Sequence, residues 1–237
     1  MKTINCQIVS LTSLTAHVFK VILKPSEKVD FIAGQYLNVV MSEDDKRPFS
    51  IASSPNSELI ELQIGAFVAD SYPMQVIDRI KSSIADNKTL TVEMPLGNAG
   101  LQTNSDRPLL LLAGGTGFSY IKSMFEYLAE QHSQRPIMVY WGLRELSAAY
   151  ELTETAAIIA KLPHANFIPV IETVKDNEVW QGKTGLVHQA VMQDIVSLEP
   201  YDIYLAGRFE MVGAIRSDFI EHGALLTHMH ADAFAFI

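Results

Sequence analysis

The chain has 237 residues, 48% hydrophobic and 19% charged, with 18 Lys and Arg against 27 Asp and Glu for a formal net charge of −9. That balance describes a compact folded chain, either one large domain or two of roughly 100 and 130 residues, and with no basic run it argues against a phosphate-backbone binder. The single cysteine, Cys6, excludes an internal disulfide, a zinc ribbon, a CxxC redox pair and a four-cysteine iron–sulfur cluster.

Met1–Asn5 has no apolar stretch of the signal-peptide kind, and no apolar run approaches the roughly 20 residues that span a bilayer, so a cytoplasmic protein without membrane attachment is expected. Up to about residue 95 the chain reads as short strands separated by turn chemistry. The candidates are Ile4–Ser10, Ala16–Leu23, Tyr36–Met41, Phe49–Ser53, Leu59–Ile64 and Thr89–Met94, with one helical stretch at Tyr72–Ser82. Six short strands with one inserted helix predict a small antiparallel barrel. Pro95–Gly100 and the polar Gln102–Asp106 read as a linker.

From Arg107 the pattern changes. Apolar runs at Leu109–Ala113, Ile137–Trp141, Phe167–Ile171, Ile203–Ala206 and Ala233–Ile237 alternate with amphipathic segments, and continuous apolar runs are what strands buried on both faces look like. Phe118, Ile121, Met124, Phe125 and Leu128 share one helical face, and Ser147–Lys161, Leu186–Ile195 and Phe209–Glu221 read as further helices. The expectation is a barrel over 1–100 followed by a five-stranded parallel α/β unit over 101–237.

Three segments carry candidate chemistry. Leu109–Phe118 is a buried strand running through Gly114, Gly115, Thr116 and Gly117 into a helix, where glycines admit a tight turn and free N–H groups attract an anion. It is neither GxGxxG, since Tyr120 takes the third glycine's place, nor a Walker A loop, and a tight turn with no ligand is the rival reading. Arg47 and Ser50 open a barrel strand, where a guanidinium would bind a phosphate or a ribityl chain and a hydroxyl would donate to a ring nitrogen; a strand with a solvated arginine is the alternative. Ala206–Met211 repeats the strand, glycine, helix pattern, and in a parallel sheet two such turns share one crevice. His228 and His230 sit two apart with no carboxylate cluster, a pattern that suits a solvated turn better than a metal site. Cys6, in the first strand, reads as a small buried hydrophobe.

Together, Phe31–Tyr36, Arg47–Ser50, Ala113–Ser119, Tyr140–Gly142, Ala206–Met211 and Asp232–Ile237, in this order over nearly the whole chain, resemble the ferredoxin–NADP reductase superfamily. The resemblance is closest to its bacterial NAD(P)H:flavin oxidoreductases, including those associated with luciferase. It implies a six-stranded flavin-binding barrel, a five-stranded nucleotide-binding domain, and hydride transfer from NADH or NADPH to flavin N5. It places the flavin on Tyr36, Arg47, Pro48, Phe49, Ser50 and Phe234, with Ser50 near N5. It places the nicotinamide nucleotide on Gly114, Gly115, Thr116, Gly117, Phe118 and Ser119, with Gly207, Arg208 and Phe209 on the opposite wall.

Two departures bear on function. Ala206 stands where many relatives carry cysteine, and Gly65–Ser71 does not reproduce the Gly-x-x-Ser-type segment of relatives that keep FAD. The flavin, whether riboflavin, FMN or FAD, is therefore expected to be a dissociable substrate. The implied partners are small molecules and a monooxygenase or luciferase that consumes reduced flavin, with no nucleic acid, no membrane and no metal. The rival enzyme is a reductase that retains FAD and serves a separate iron–sulfur protein. The rival from another class is a non-catalytic flavin carrier on the same fold.

Overall fold

The computed structural model describes residues 1–237. Strands β1 (Lys2–Ser13), β2 (Val18–Pro25), β3 (Tyr36–Val40), β4 (Lys46–Ser50) and β5 (Ile60–Gly65), helix α1 (Tyr72–Ala85) and strand β6 (Leu90–Leu96) make the first half. The strands pair antiparallel in the order β4-β3-β6-β1-β2-β5. Alternate residues point inward, so Ile4 and Cys6, Val21 and Leu23, Leu37 and Val39, and Leu62 and Ile64 fill one core, which α1 completes with Val76, Ile77 and Ile80. Burial pushes the Cys6 thiol up to about 11, so it is an inert packing residue.

The strand expected at Phe49–Ser53 begins and ends three residues earlier. Pro48 has no N–H to donate, and β4 is an edge strand that tolerates it. Beyond Ser50 the chain leaves the ladder: Ile51 N–H donates to the Gln35 carbonyl (3.1 Å) and Ala52 N–H to the Glu61 carbonyl (2.8 Å), which joins the edges β4 and β5 into a barrel.

The second half runs β7 (Leu109–Gly114), α2 (Phe118–Glu130), β8 (Ile137–Glu145), α3 (Leu152–Ile159), β9 (Ala165–Thr173), β10 (Lys183–Thr184), α4 (Val187–Asp194), β11 (Asp202–Ala206), α5 (Phe209–Glu221) and β12 (Met229–His230). Its strands are all parallel, in the order β10-β9-β8-β7-β11-β12. The run Leu109–Leu112 divides by parity: Leu109 and Leu111 pack with α2 residues, Leu110 and Leu112 with Val187 of α4 and Val212 and Phe219 of α5. A strand covered on both sides needs apolar residues at every position.

Two expectations need correction here. The parallel sheet has six strands rather than five, two of them only two residues long, and Ala233–Ile237 is not one of them. The last pairing is Ile203 with Met229 and Tyr204 with His230, after which Asp232–Ala235 forms a 3₁₀ turn. The apolar side chains that suggested a strand are used elsewhere, Phe234 beneath the Arg216 guanidinium (5.2 Å) and Phe236 against Phe209 (5.6 Å). The helix expected over Ser147–Lys161 is also shorter, because Glu151 adopts a left-handed φ of 52° just before α3 while its carboxylate pairs with Lys20 and accepts from Gln63 (2.8 Å), both in the barrel.

Phe118 is fully buried, stacked on Trp141 with ring centroids 4.0 Å apart and edge-on to Tyr150. Phe118→Ala should therefore destabilise the fold by about 3–5 kcal/mol. Urea unfolding monitored by Trp fluorescence checks this, and a loss below about 1 kcal/mol, the typical value for point variants, would place the ring outside the core.

Candidate active site

The strand β4 and the start of β3 form one side of a cleft of about 800 Å³, the C-terminal segment forms the other, and Pro95–Ala99 closes one end. That volume lies in the range of small-molecule sites. Tyr36 and Ser50 face each other as a ladder pair, with Pro48 and Phe49 beside them. The position of Tyr36 is set by Gln35, whose side-chain Nε2 donates to the Gly97 carbonyl (3.0 Å) and whose side-chain Oε1 accepts from Ile32 N–H (2.8 Å). Opposite stand Phe209, His230, Asp232, Phe234 and Phe236. Burial pushes the Asp232 carboxyl above the ordinary aspartate range against the pull of the Ala99 and Asn98 amides, and burial pulls His230, stacked on Tyr204 at 4.8 Å, below the ordinary histidine range. The cleft thus has aromatic and prolyl walls and a few polar groups, a surface suited to a flat conjugated ring.

The glycine turn lies at the carboxyl end of β7. Gly115 has a φ of +54° with open space around the position of a side chain, and its carbonyl accepts from the Trp141 indole N–H (2.9 Å). A Cβ on Gly117 would stand 2.7 Å from the Ala206 carbonyl, so this glycine is what lets the β7 and β11 turns approach. Gly207 follows at once, 3.7 Å from the Gly114 nitrogen measured at the position of an added Cβ, and Arg208 and the half-exposed Phe209 extend the same wall. The two turns meet at the carboxyl ends of β7 and β11, with the Met211 side chain packed against both Gly114 and Gly207, and Phe209, just after the second turn, also lines the aromatic cleft.

Three sequence candidates sit elsewhere. Phe118 and Ser119 are sealed, the first in the core and the second against the Gln63 side chain, so neither side chain offers surface to a ligand. Arg47 stands apart from the cleft lining; its Nε and Nη2 both donate to the Asp45 carboxylate at 2.6 Å and its Nη1 to the Tyr72 carbonyl at 3.0 Å. Gln35 and Asp232 lie in segments that carry the resemblance but are not among its site residues, and His230, read from the sequence as part of a solvated turn, is half-buried in the cleft lining. His228 pairs with Asp202 (2.8 Å). No helix is long and apolar enough to cross a membrane.

Residues 111–217 match the model of the oxidoreductase NAD-binding domain. Among solved structures, the ferredoxin reductase of carbazole 1,9a-dioxygenase superposes with a TM-score of 0.82 at 22% identity, covering 98% of this chain and 69% of that one. The flavohaem-like FAD/NAD-binding domain of nitric oxide dioxygenase from Vibrio cholerae superposes with a TM-score of 0.76 at 18% identity, covering 97% and 96%. A barrel followed by a parallel sheet with glycine turns at its carboxyl edge thus defines a protein with the ferredoxin reductase fold. The NAD(P)H-flavin reductase of Vibrio harveyi is 44% identical over 99% of this chain and 100% of its own, and that of Aliivibrio fischeri is 45% identical over 99% of each. This chain belongs to the NAD(P)H-flavin reductase family.

Proposed function

We propose that the protein transfers hydride from NADH or NADPH to a free flavin and releases the reduced flavin, with residues 1–100 binding the flavin and 101–237 the nucleotide. When bound, the pair supplies its own chemistry, since nicotinamide C4 gives up hydride and flavin N5 accepts it. Tyr36, Pro48, Phe49 and Phe234 hold the flavin ring between apolar surfaces. Ser50 donates a hydrogen bond at the N5 edge and fixes the ring's orientation. Gly114, Gly115, Thr116 and Gly117 bring main-chain N–H groups to the nucleotide phosphates, while Gly207, Arg208 and Phe209 shape the opposite wall. Arg47, held by Asp45, supports β4.

The observation that carries this reading is that Phe209, which directly follows Gly207 and Arg208 at the start of α5, also lines the aromatic cleft. The proposal includes a cytoplasmic location, where a reduced-flavin-consuming monooxygenase or luciferase would take the product. The test is NADH oxidation with and without added riboflavin. Oxidation that depends on flavin and saturates with it supports the proposal, and none with riboflavin, FMN or FAD overturns it.

NADH is expected to be preferred over NADPH. At the carboxyl ends of β8 and β9 the chain presents Glu145, Glu172 and Glu178 against Arg144 and Lys175, and Lys175 is already paired with Glu145 at 2.7 Å. A carboxylate at this corner suits a ribose 2′-hydroxyl better than a 2′-phosphate. Comparison of kcat/KM for the two nucleotides decides it, and a roughly tenfold preference for NADPH, about 1.4 kcal/mol, would contradict it.

A further inference from the structure

The Ser50 strand and the glycine turn belong to different sheets, and helix α2 bridges them. α2 starts at Phe118, directly after Gly117, and one of its faces lies on the segment that follows Ser50. The buried Ser123 hydroxyl donates to the Ser53 carbonyl at 2.7 Å. Lys122, its side chain only 7% exposed, pairs with Glu126 at 2.6 Å and across the boundary with Glu61 of β5 at 3.2 Å. The Ser54 N–H donates to Glu126 at 3.2 Å, and the Glu61 N–H donates to the Ser53 hydroxyl at 3.1 Å, which closes the circuit. Buried pairs of this kind add little net stability over apolar packing but demand defined geometry.

We propose that Lys122, Ser123 and Glu126 are positioning residues, which hold the flavin-facing strand at a set distance from the nicotinamide-binding turn. The inference rests on the function proposed above. Hydride donor and acceptor must approach to roughly 3–3.5 Å, and a displacement of about 1 Å can cost on the order of 100-fold. None of these residues lines the aromatic cleft or belongs to the glycine turn, so loosening the network should slow the hydride step and spare binding.

The test is single-turnover reduction of bound flavin by NADH in Ser123→Ala, Lys122→Met and Lys122→Arg. Ser123→Ala removes one buried donor at nearly constant volume and decides the matter should Lys122→Met fail to fold. In Ser123→Ala and Lys122→Met the rate constant should fall roughly 10- to 100-fold while flavin Kd and NADH KM stay close to wild type. The primary isotope effect from 4-deuterated NADH should become fully expressed in kcat, and Lys122→Arg, which keeps the charge, should recover part of the rate. A folded Ser123→Ala with the wild-type rate constant would overturn the proposal, as would a loss explained wholly by the unfolded fraction or by raised KM. A wild-type protein that oxidises no NAD(P)H with any flavin overturns the functional reading itself, which tells the two failures apart.

Discussion

Ser50→Ala is expected to lower kcat/KM for flavin reduction by one or more decades, each decade being about 1.4 kcal/mol of lost transition-state stabilisation. Ser50 ends β4, paired with Tyr36 on the cleft, and the next two residues are anchored by main-chain bonds from Ile51 and Ala52 to Gln35 and Glu61. The backbone around the hydroxyl is held by groups the substitution leaves alone, so the fold should keep its stability. The loss should fall mainly on kcat, because the apolar walls that bind the ring remain. Steady-state kinetics with riboflavin at saturating NADH check this, and near wild-type kinetics would remove Ser50 from the site.

A second large effect is expected at the glycine turn. Gly115 holds a left-handed φ of +54°, which costs an L residue roughly 1–2 kcal/mol, and a branched side chain fits there worst. Because nothing lies within 4 Å of an added Cβ, the harm in Gly115→Val comes from the displaced backbone and not from a clash. KM for NAD(P)H should rise on the order of 5- to 30-fold, the factor that 1–2 kcal/mol represents, while flavin affinity is largely retained. Gly117→Ala is a different lesion, since its Cβ would meet main chain of Ala206 at 2.7 Å and force the β7 and β11 turns apart. Equal damage to flavin binding in Gly115→Val would mean that the turn supports the whole fold rather than the nucleotide.

The sequence showed the elements best where one physical signal acted alone. The four leucines Leu109–Leu112 are apolar at every position because both faces of β7 are covered, and α5 spans Phe209–Glu221 as its pattern predicts. Misreadings arose where apolar residues serve something other than their own element. Phe234 and Phe236 look like strand residues yet line a cleft. Phe118 follows a glycine turn and looks like part of the nucleotide site, but its ring fills the space against Trp141. Lys122 was invisible for the opposite reason, since a lysine on an amphipathic helix reads as solvated until the barrel is packed over it. There burial penalises the ammonium, yet Glu61 and Glu126 outweigh that and hold it above the ordinary lysine range. Gln35 reaches Gly97 across 62 positions, a contact no local pattern encodes.

A titration of the extensively dialysed protein with riboflavin, followed by mixing with NADH, shows whether the cleft takes a flavin that comes and goes. Dialysis should leave the protein free of flavin, riboflavin should bind with a Kd in the micromolar range or weaker, near −8 kcal/mol, and NADH should rapidly bleach the added riboflavin. Stoichiometric FAD surviving dialysis, a nanomolar Kd near −12 kcal/mol, or riboflavin left oxidised by NADH would contradict a dissociable flavin and favour a reductase that keeps its flavin and passes electrons to another protein.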